Sequence, residues 1–564
     1  MDFIIKGATL FDGSGQSRRE NCDLAVRAGR IDAVGPDLAV PKGAEVIDAD
    51  GLALMPGIID THTHYDAQAT WDPGLSPSPA HGVTSVVIGN CGFTIAPCRE
   101  EDRELVMRNL TQVEGMSLDV LRQGIVWDFE TFPEYLASLE RRGTQANVAA
   151  FLGHSALRSY VMGDAAVERA ATDEEVAEMR RHVGAAMAAG AIGFATSTAP
   201  QHNGWGGVPM PSRLADDREH YALVREMAGS GRGLFMLTKG NHTDVPWLEA
   251  LAGAAHCPVM IAALLHNPTN PQGTFKELAQ ISEARSRGRE LWGQVSCCPL
   301  TMDFSLASAY PLESLTAWQP AMAATGEELH RLLADAAFRQ SVKEELEQPA
   351  GVRLFNGEWD KLALTEAARE ENRHLEHRSI AELAAEADQH PLDWLLDFGL
   401  SENLESLFTA ILLNADEEAV GRMIRHPDAS VALSDAGAHL TFFCDAGFGL
   451  HLMGHWARRR GVLSLEEAVR ELTAKPAEIF RLPNRGRLAP GYAADLLLFD
   501  PETVDRGPNR RVHDLPGGGA RLTTDAIGLQ GVWVNGVRIV DGQGRLSSDR
   551  APGQLMRPRT ATAP

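Results

Sequence analysis

The chain begins and ends in one hydrophobic texture and runs through its middle in another. Residues 2–10, 22–27 and 30–34 alternate apolar and polar positions or are rich in β-branched side chains, and Asp-Gly, Gly-Ser-Gly and Ala-Gly turns break them, as short strands do. The texture returns at 494–499 and 531–540, where Asn535-Gly536 signals a tight hairpin. Between these ends lie eight short apolar runs: 54–60, 84–89, 147–152, 191–196, 233–238, 259–265, 290–295 and 429–434. Each is apolar on both faces, stops at polar or small residues, and alternates with segments of helical length. Continuous apolar strands separated by helices mark a parallel sheet covered on both sides. Eight of them predict a (β/α)8 TIM-like barrel, an α/β fold.

The domain boundaries follow from these patterns. Residues 1–53 and 485–546 pair into a small, discontinuous β-sandwich domain, and 54–484 form the barrel. More than a hundred residues separate the seventh run from the eighth, so an insertion is expected at about 300–425, including the acidic helical stretch 327–347. It would overhang the C-terminal mouth of the barrel, as a lid or as a solvated packing arm. The Pro/Arg/Thr-rich residues 547–564 read as a disordered tail.

Charge narrows the partners. Lys and Arg number 52 against 76 Asp and Glu, a net −24, which argues against nucleic acid and anionic membranes, since both select clustered cations. No apolar run reaches the length of a membrane span, and the start Met1-Asp2-Phe3-Ile4-Ile5-Lys6 has no signal-peptide pattern. Seven cysteines, an odd number in so long a chain, suit thiols or metal ligands better than a disulfide framework. The expectation is a cytoplasmic protein acting on a small molecule, with self-association left open.

Candidate chemistry gathers at the ends of the apolar runs. Asp60-Thr61-His62-Thr63-His64 closes the first; side chains at i and i+2 of a strand point the same way, so His62 and His64 converge on one point and form half of a metal site. Gly89-Asn90-Cys91-Gly92 closes the second and offers a thiolate ligand. His266 ends the sixth run. Asp435 ends the eighth, where a carboxylate can take a proton from an activated water and pass it to a leaving group. Cys98, Cys257 and Cys444 have no such placement and read as ordinary core residues.

These motifs, with Pro56-Gly57-Ile58-Ile59 before the histidine pair, Gly82-Val83-Thr84-Ser85-Val86-Val87-Ile88 before the Gly-Asn-Cys-Gly turn and the closing segment 486–500, resemble the amidohydrolase superfamily and its N-acyl-D-amino-acid deacylase (D-aminoacylase) branch. The resemblance covers nearly the whole chain. It implies a centre of one or two zinc ions, with Cys91 and His266 as ligands, His62 and His64 as a second, looser position, and Asp435 as proton shuttle. The implied activity is hydrolysis of the amide C–N bond of an N-acylated amino acid or related amide by metal-activated water. A cyclic-amide hydrolase or deaminase on the same barrel is the enzymatic alternative, and a non-catalytic assembly protein the alternative of another class.

The pattern departs from the branch in several places. Where its fifth strand ends in a ligand His, this chain has Leu237-Thr238-Lys239-Gly240-Asn241-His242. A protonated lysine has no lone pair to give a metal. Lys239 is therefore either a neutral or carbamylated ligand, or a substrate contact, or His242 substitutes for it; a lysine paired with a nearby carboxylate is the plain alternative. Ligation by Lys239 is the reading carried forward. The branch's substrate-carboxylate clamp is also missing: Pro268 stands in place of its Lys, residues 436–456 hold no Arg, and Ser296-Cys297-Cys298-Pro299 replaces a Tyr-Pro-Tyr segment. His154, Arg158 and His439 are the candidate substrate-binding residues at the rim, near His202 and Trp205.

Overall fold

The eight apolar runs are the strands of one parallel sheet in the computed structural model, which describes residues 3–40, 42–313, 315–348, 355–437, 445–542 and 551–558. In chain order they are β1 (Ile58–Asp60), β2 (Val83–Ile88), β3 (Asn147–Gly153), β4 (Gly193–Ser197), β5 (Leu234–Thr238), β6 (Val259–Leu264), β7 (Leu291–Val295) and β8 (Ala429–Val431). Spatial order follows chain order from β1 to β8, and every neighbouring pair is parallel. β2 and β3 are buried along their whole length, which is why they carry no polar face. Among the described residues no ladder joins β8 to β1. The segments just beyond them meet instead: Asp435 N–H donates to the His62 carbonyl at 3.2 Å, and His64 N–H to the Ala436 carbonyl at 2.8 Å. The ring thus closes at its C-terminal rim, through the residues expected to carry the chemistry.

The N-terminal strands Phe3–Leu10, Arg19–Arg27, Arg30–Gly35, Glu45–Asp48 and Ala53–Pro56 join Leu496–Phe499, Leu529–Val534 and Val537–Val540. The seam is the antiparallel pairing of Ala53–Pro56 with Leu496–Phe499, over a core that includes Phe3, Ile5, Leu24, Leu54, Leu498 and Trp533. Hydrogen bonding makes the expected sandwich one continuous eight-stranded sheet. Val534 pairs with Val537, and both turn residues between them take positive φ, 47° at Asn535 and 76° at Gly536. That geometry suits Asn-Gly and matches the twist of the flanking strands.

The insertion between β7 and β8 has its own core. Leu300–Phe304 and Leu362–Glu366 flank Leu407–Leu413 in a three-stranded antiparallel sheet, whose central strand alternates buried and half-buried positions. Phe304, Leu364 and Phe408 pack there with Leu333 and Phe338 of helices Gly326–Ala334 and Ala336–Glu347. The acidic stretch is thus two amphipathic helices on a packed unit. Its exit is tied to the barrel rim by Asn414: the amide N–H donates to the His266 carbonyl at 2.8 Å, Oδ1 accepts from His266 N–H at 3.1 Å, and Nδ2 donates to the carbonyls of Ser296 and Cys298 at 2.8 and 2.9 Å.

Residues 551–558 correct the expectation of a wholly disordered tail. Val148 N–H donates to Gln554 at 3.0 Å, Met556 N–H returns to Val148 at 2.7 Å, and the Met556 side chain is buried. Backbone pairing with the start of β3 and one buried side chain hold a segment whose composition carries no such signal.

Candidate metal centre

Three helices besides the strands frame the centre or its surroundings: α1 (Arg103–Glu114), α2 (His154–Met162) and α3 (Asp217–Gly229); α4 (Gly273–Ser286) follows β6. The first site residues leave β1. Asp60 Oδ1 accepts from His62 N–H at 3.2 Å and its other oxygen accepts from the Ser434 hydroxyl, so one fully buried carboxylate ties the exits of β1 and β8 together. Burial pushes its pKa up to about 7 against those hydrogen bonds.

His62 and His64 project to the same side, their ring centroids 5.3 Å apart. β2 leads into Cys91, which sits at φ 58°, a conformation a non-glycine side chain holds only where its surroundings enforce it. They do so here: Gly89 N–H donates to Asp66 at 2.9 Å, and the Asn90 side chain donates to the carbonyls of Thr63 and Val87 at 3.2 and 2.9 Å. Cys91 Sγ thereby lies 3.6 Å from His62 Nε2. Ligand atoms of His62, His64 and Cys91 all lie within 4.8 Å of one another, the one such group among the described residues. Asp435, also at positive φ (49°), places Oδ1 3.3 Å from His62 Nε2 and 3.4 Å from His64 Nε2.

The electrostatics suit a cation. Burial pushes the Cys91 thiol up, but the two imidazoles outweigh it and bring it below the usual thiol value. Burial likewise pushes the imidazoles down, and neighbouring acidic groups reverse this: Cys91 and Asp435 raise His62, while Glu114, Asp435 and Cys91 raise His64 well above its ordinary value. A thiol poised to ionise beside two imidazoles is a soft-to-borderline donor set that fits zinc. His266, just beyond β6, is 5% exposed and its Nδ1 is buried without a hydrogen-bond partner. An unpaired buried nitrogen is costly, and this one also fits a ligand, although His266 is not part of the three-residue group.

Lys239 is corrected by strand alternation. The last residue of β5, Thr238, donates its hydroxyl to Cys91 Sγ at 3.2 Å. The next side chain therefore points away, and Lys239 Nζ pairs with Glu277 Oε1 of α4 at 2.7 Å, both side chains about one-quarter exposed, at 26% and 25%. His242 is exposed and does not replace it. Lys239→Ala is accordingly expected to keep its zinc and to lose less than about 1 kcal/mol of stability, as ion pairs open to solvent do. Metal analysis of the purified variant checks this, and loss of zinc would return Lys239 to the centre.

His154 and Arg158 are corrected as well. α2 starts directly at the end of β3, which turns both side chains into the layer between sheet and helices, where each is 0% exposed. His154 Nε2 meets Glu219 of α3 at 2.8 Å and its Nδ1 meets the Thr196 hydroxyl at 2.8 Å. Arg158 pairs with the same Glu219 and donates to the Ala166 and Arg169 carbonyls at 3.3 and 2.9 Å. His202 bonds Ser197 at 2.6 Å, and Trp205 is exposed beneath Arg108. His439 and Cys444 lie outside the described residues. Burial pushes the Cys98 and Cys257 thiols up to about 12, as for core residues.

The sequence reading missed Gln294, Glu114 and Asp66. Gln294 Oε1 faces His62 Nδ1 at 2.7 Å, and Glu114 Oε1 faces His64 Nδ1 at 3.1 Å. Two of them carried a signal: Gln294 is a polar residue inside an apolar run, and Glu114 continues the buried Met107–Leu110 stripe of α1, where an acidic side chain needs a partner.

The model of the amidohydrolase family matches residues 45–540. The chain is 31% identical to an N-acyl-D-aspartate deacylase of Alcaligenes xylosoxydans xylosoxydans over 99% of its own length and 96% of that protein's. Among solved structures, it is similar to the N-acyl-D-glutamate deacylase of Bordetella bronchiseptica, complexed with zinc and a phosphonate mimic of the tetrahedral intermediate. That match has a TM-score of 0.67, 27% identity and coverage of 99% of both chains. It is similar also to a D-aminoacylase with a binuclear metal centre, at TM-score 0.65 and 25% identity, over 98% of this chain and 99% of that one. Among the described residues, no helix is long and apolar enough to cross a membrane.

Proposed function

The chain belongs to the amidohydrolase family, and we propose that within it the protein is a cytoplasmic, zinc-dependent deacylase of N-acyl-D-amino acids. The observation that carries the reading is the group of Cys91, His62 and His64 facing Asp435 Oδ1 on the closed rim of the barrel. The deacylase class comes from the relatives, and the free thiols, Cys22, Cys91, Cys98, Cys257, Cys297 and Cys298 among the described residues, suit a reducing compartment.

Cys91, His62 and His64 would hold the metal, with His266 as the further donor. Zinc supplies Lewis acidity toward the amide carbonyl and makes water easier to deprotonate. The protein supplies the proton transfers. Asp435 stands in front of both histidine Nε2 atoms and is 7% exposed, so it can take the proton of the attacking water and return it to the departing nitrogen. Hydrogen bonds between the β1 and β8 exits hold that carboxylate opposite the donors.

Without the carboxylate clamp the site lacks the charge-assisted pairing that recognises a free amino-acid carboxylate, which leaves the substrate's identity as the open variable. The test is amine release from N-acetyl derivatives of D- and L-Asp, Glu, Leu and Met, with cyclic amides alongside. Hydrolysis of the D derivatives about 100-fold or more above the L forms is expected, a discrimination of roughly 2.7 kcal/mol. Turnover of cyclic amides alone would replace the deacylase reading.

A further inference from the structure

Glu114 ends α1 and is followed by Gly115 in the left-handed conformation, so the helix stops with this carboxylate turned to the inside. Its side chain is 1% exposed and Oε1 lies 3.1 Å from Nδ1 of His64, itself 4% exposed. A carboxylate so deeply buried is tolerated only when something compensates its charge. The neighbouring imidazole has a different partner. Gln294 uses its Nε2 on the Thr61 hydroxyl at 3.0 Å, which leaves Oε1 to face His62 Nδ1 at 2.7 Å. A carbonyl oxygen and a carboxylate are both acceptors: Gln294 hydrogen-bonds His62 Nδ1, whereas Glu114 meets His64 Nδ1 as a close ion pair, and both rings turn Nε2 toward Asp435. At Nδ1, His64 thus faces a carboxylate and His62 a neutral amide.

We propose that Glu114 is a positioning residue for the metal centre: its buried negative charge beside Nδ1 favours a hydrogen on that nitrogen once the metal takes Nε2, and makes His64 the stronger imidazole donor of the pair. The inference rests on the reading of His64 as a zinc ligand. Outer partners of this kind orient metal-bound histidines and raise their basicity, and their loss typically weakens metal binding about 10- to 100-fold. Gln294, being neutral, fixes His62 without the second effect.

The experiment is equilibrium competition for zinc between the full-length protein and a chromogenic chelator, in wild type, Glu114→Gln, His64→Ala and the double variant. Glu114→Gln keeps the shape and removes the charge, so zinc affinity should fall about 10- to 100-fold while the metal-free protein melts as wild type does. In the His64→Ala background the same exchange should change affinity less than about 2-fold, because the two residues act as one unit. Wild-type affinity in Glu114→Gln overturns the proposal, and so does an equal loss in both backgrounds, which would assign Glu114 to the general fold. Should Glu114→Gln not fold, Glu114→Asp, which keeps the charge but retracts it, must show a weakened zinc affinity that depends on His64, or the proposal falls. Unchanged zinc binding in His64→Ala alone would instead mark a failure of the metal-site reading.

Discussion

Exchange of Asp435 for Asn is expected to lower turnover of an N-acyl substrate about 1,000-fold while zinc content stays at the wild-type level, within the range a positioned general acid–base group contributes. The two side chains have the same shape, but the amide cannot accept a proton from water and hand it on. Asn also tolerates the left-handed backbone that Asp435 adopts at φ 49°. The bonds that close the rim here, Asp435 N–H to His62 and His64 N–H to Ala436, are main-chain bonds and survive the exchange. Amine release and metal analysis on the same preparation separate the two properties. Full activity would remove Asp435 from the mechanism, and loss of zinc would make it a ligand.

The largest stability effect is expected from Glu219→Ala, which should cost about 3–5 kcal/mol, the usual result of breaking a buried ion pair by removing one partner. Arg158 would keep its charge at 0% exposure with carbonyl oxygens as its remaining partners. Burial works against ionisation of Glu219, yet the His154 hydrogen bond and the Arg158 guanidinium hold its pKa down to about 2 from an ordinary 4.5. Burial lowers His154 itself, so it acts as a neutral donor through Nε2 and accepts from Thr196 through Nδ1. A carboxylate with a depressed folded pKa contributes fully above its unfolded value and loses that contribution as the pH falls through the folded one. Wild type and variant should therefore differ most above pH 4.5 and converge toward pH 2. Denaturant unfolding at several pH values measures this. A difference below about 1 kcal/mol at neutral pH would show that the pair carries little net stability, as some buried pairs do. The network also lies beneath the metal centre: a Cβ on Gly92, beside Cys91, would come 2.7 Å from the Ala195 carbonyl and 3.2 Å from His154 N, so the seat of α2 sets how closely the Cys91 turn can approach.

The barrel was legible because its strands are buried on both faces and read as unbroken apolar runs, and the Asn535-Gly536 hairpin because its backbone selects those residues. The grouping of His62, His64 and Cys91 was legible because they sit at strand ends, where side-chain direction follows from spacing of two. The same rule misplaced Lys239: which residue is the last to point inward depends on the register of β5 with its neighbours, and that residue is Thr238. His154 and Arg158 follow a strand end in sequence, but α2 begins there without a loop and turns them into the helix layer. The stripe of α1 marks Glu114 as buried, but its partner His64 is a tertiary contact that no local pattern encodes. The insertion's core depends on pairing between residues a hundred positions apart, as in Phe304 opposite Phe408, and was legible only as a gap in the rhythm of the barrel.

If the proposed function holds, this rim binds zinc and uses it to cleave an N-acyl-D-amino acid. The most direct measurement is amine release from N-acetyl-D-amino acids by protein stripped with a chelator and then titrated with zinc. No turnover is expected after stripping, and recovery should rise with bound zinc up to about one equivalent per chain, the occupancy that the Cys/His/His group found among the described residues supports. Undiminished turnover by the stripped protein, or none by protein holding its full complement of zinc, would contradict the proposed function.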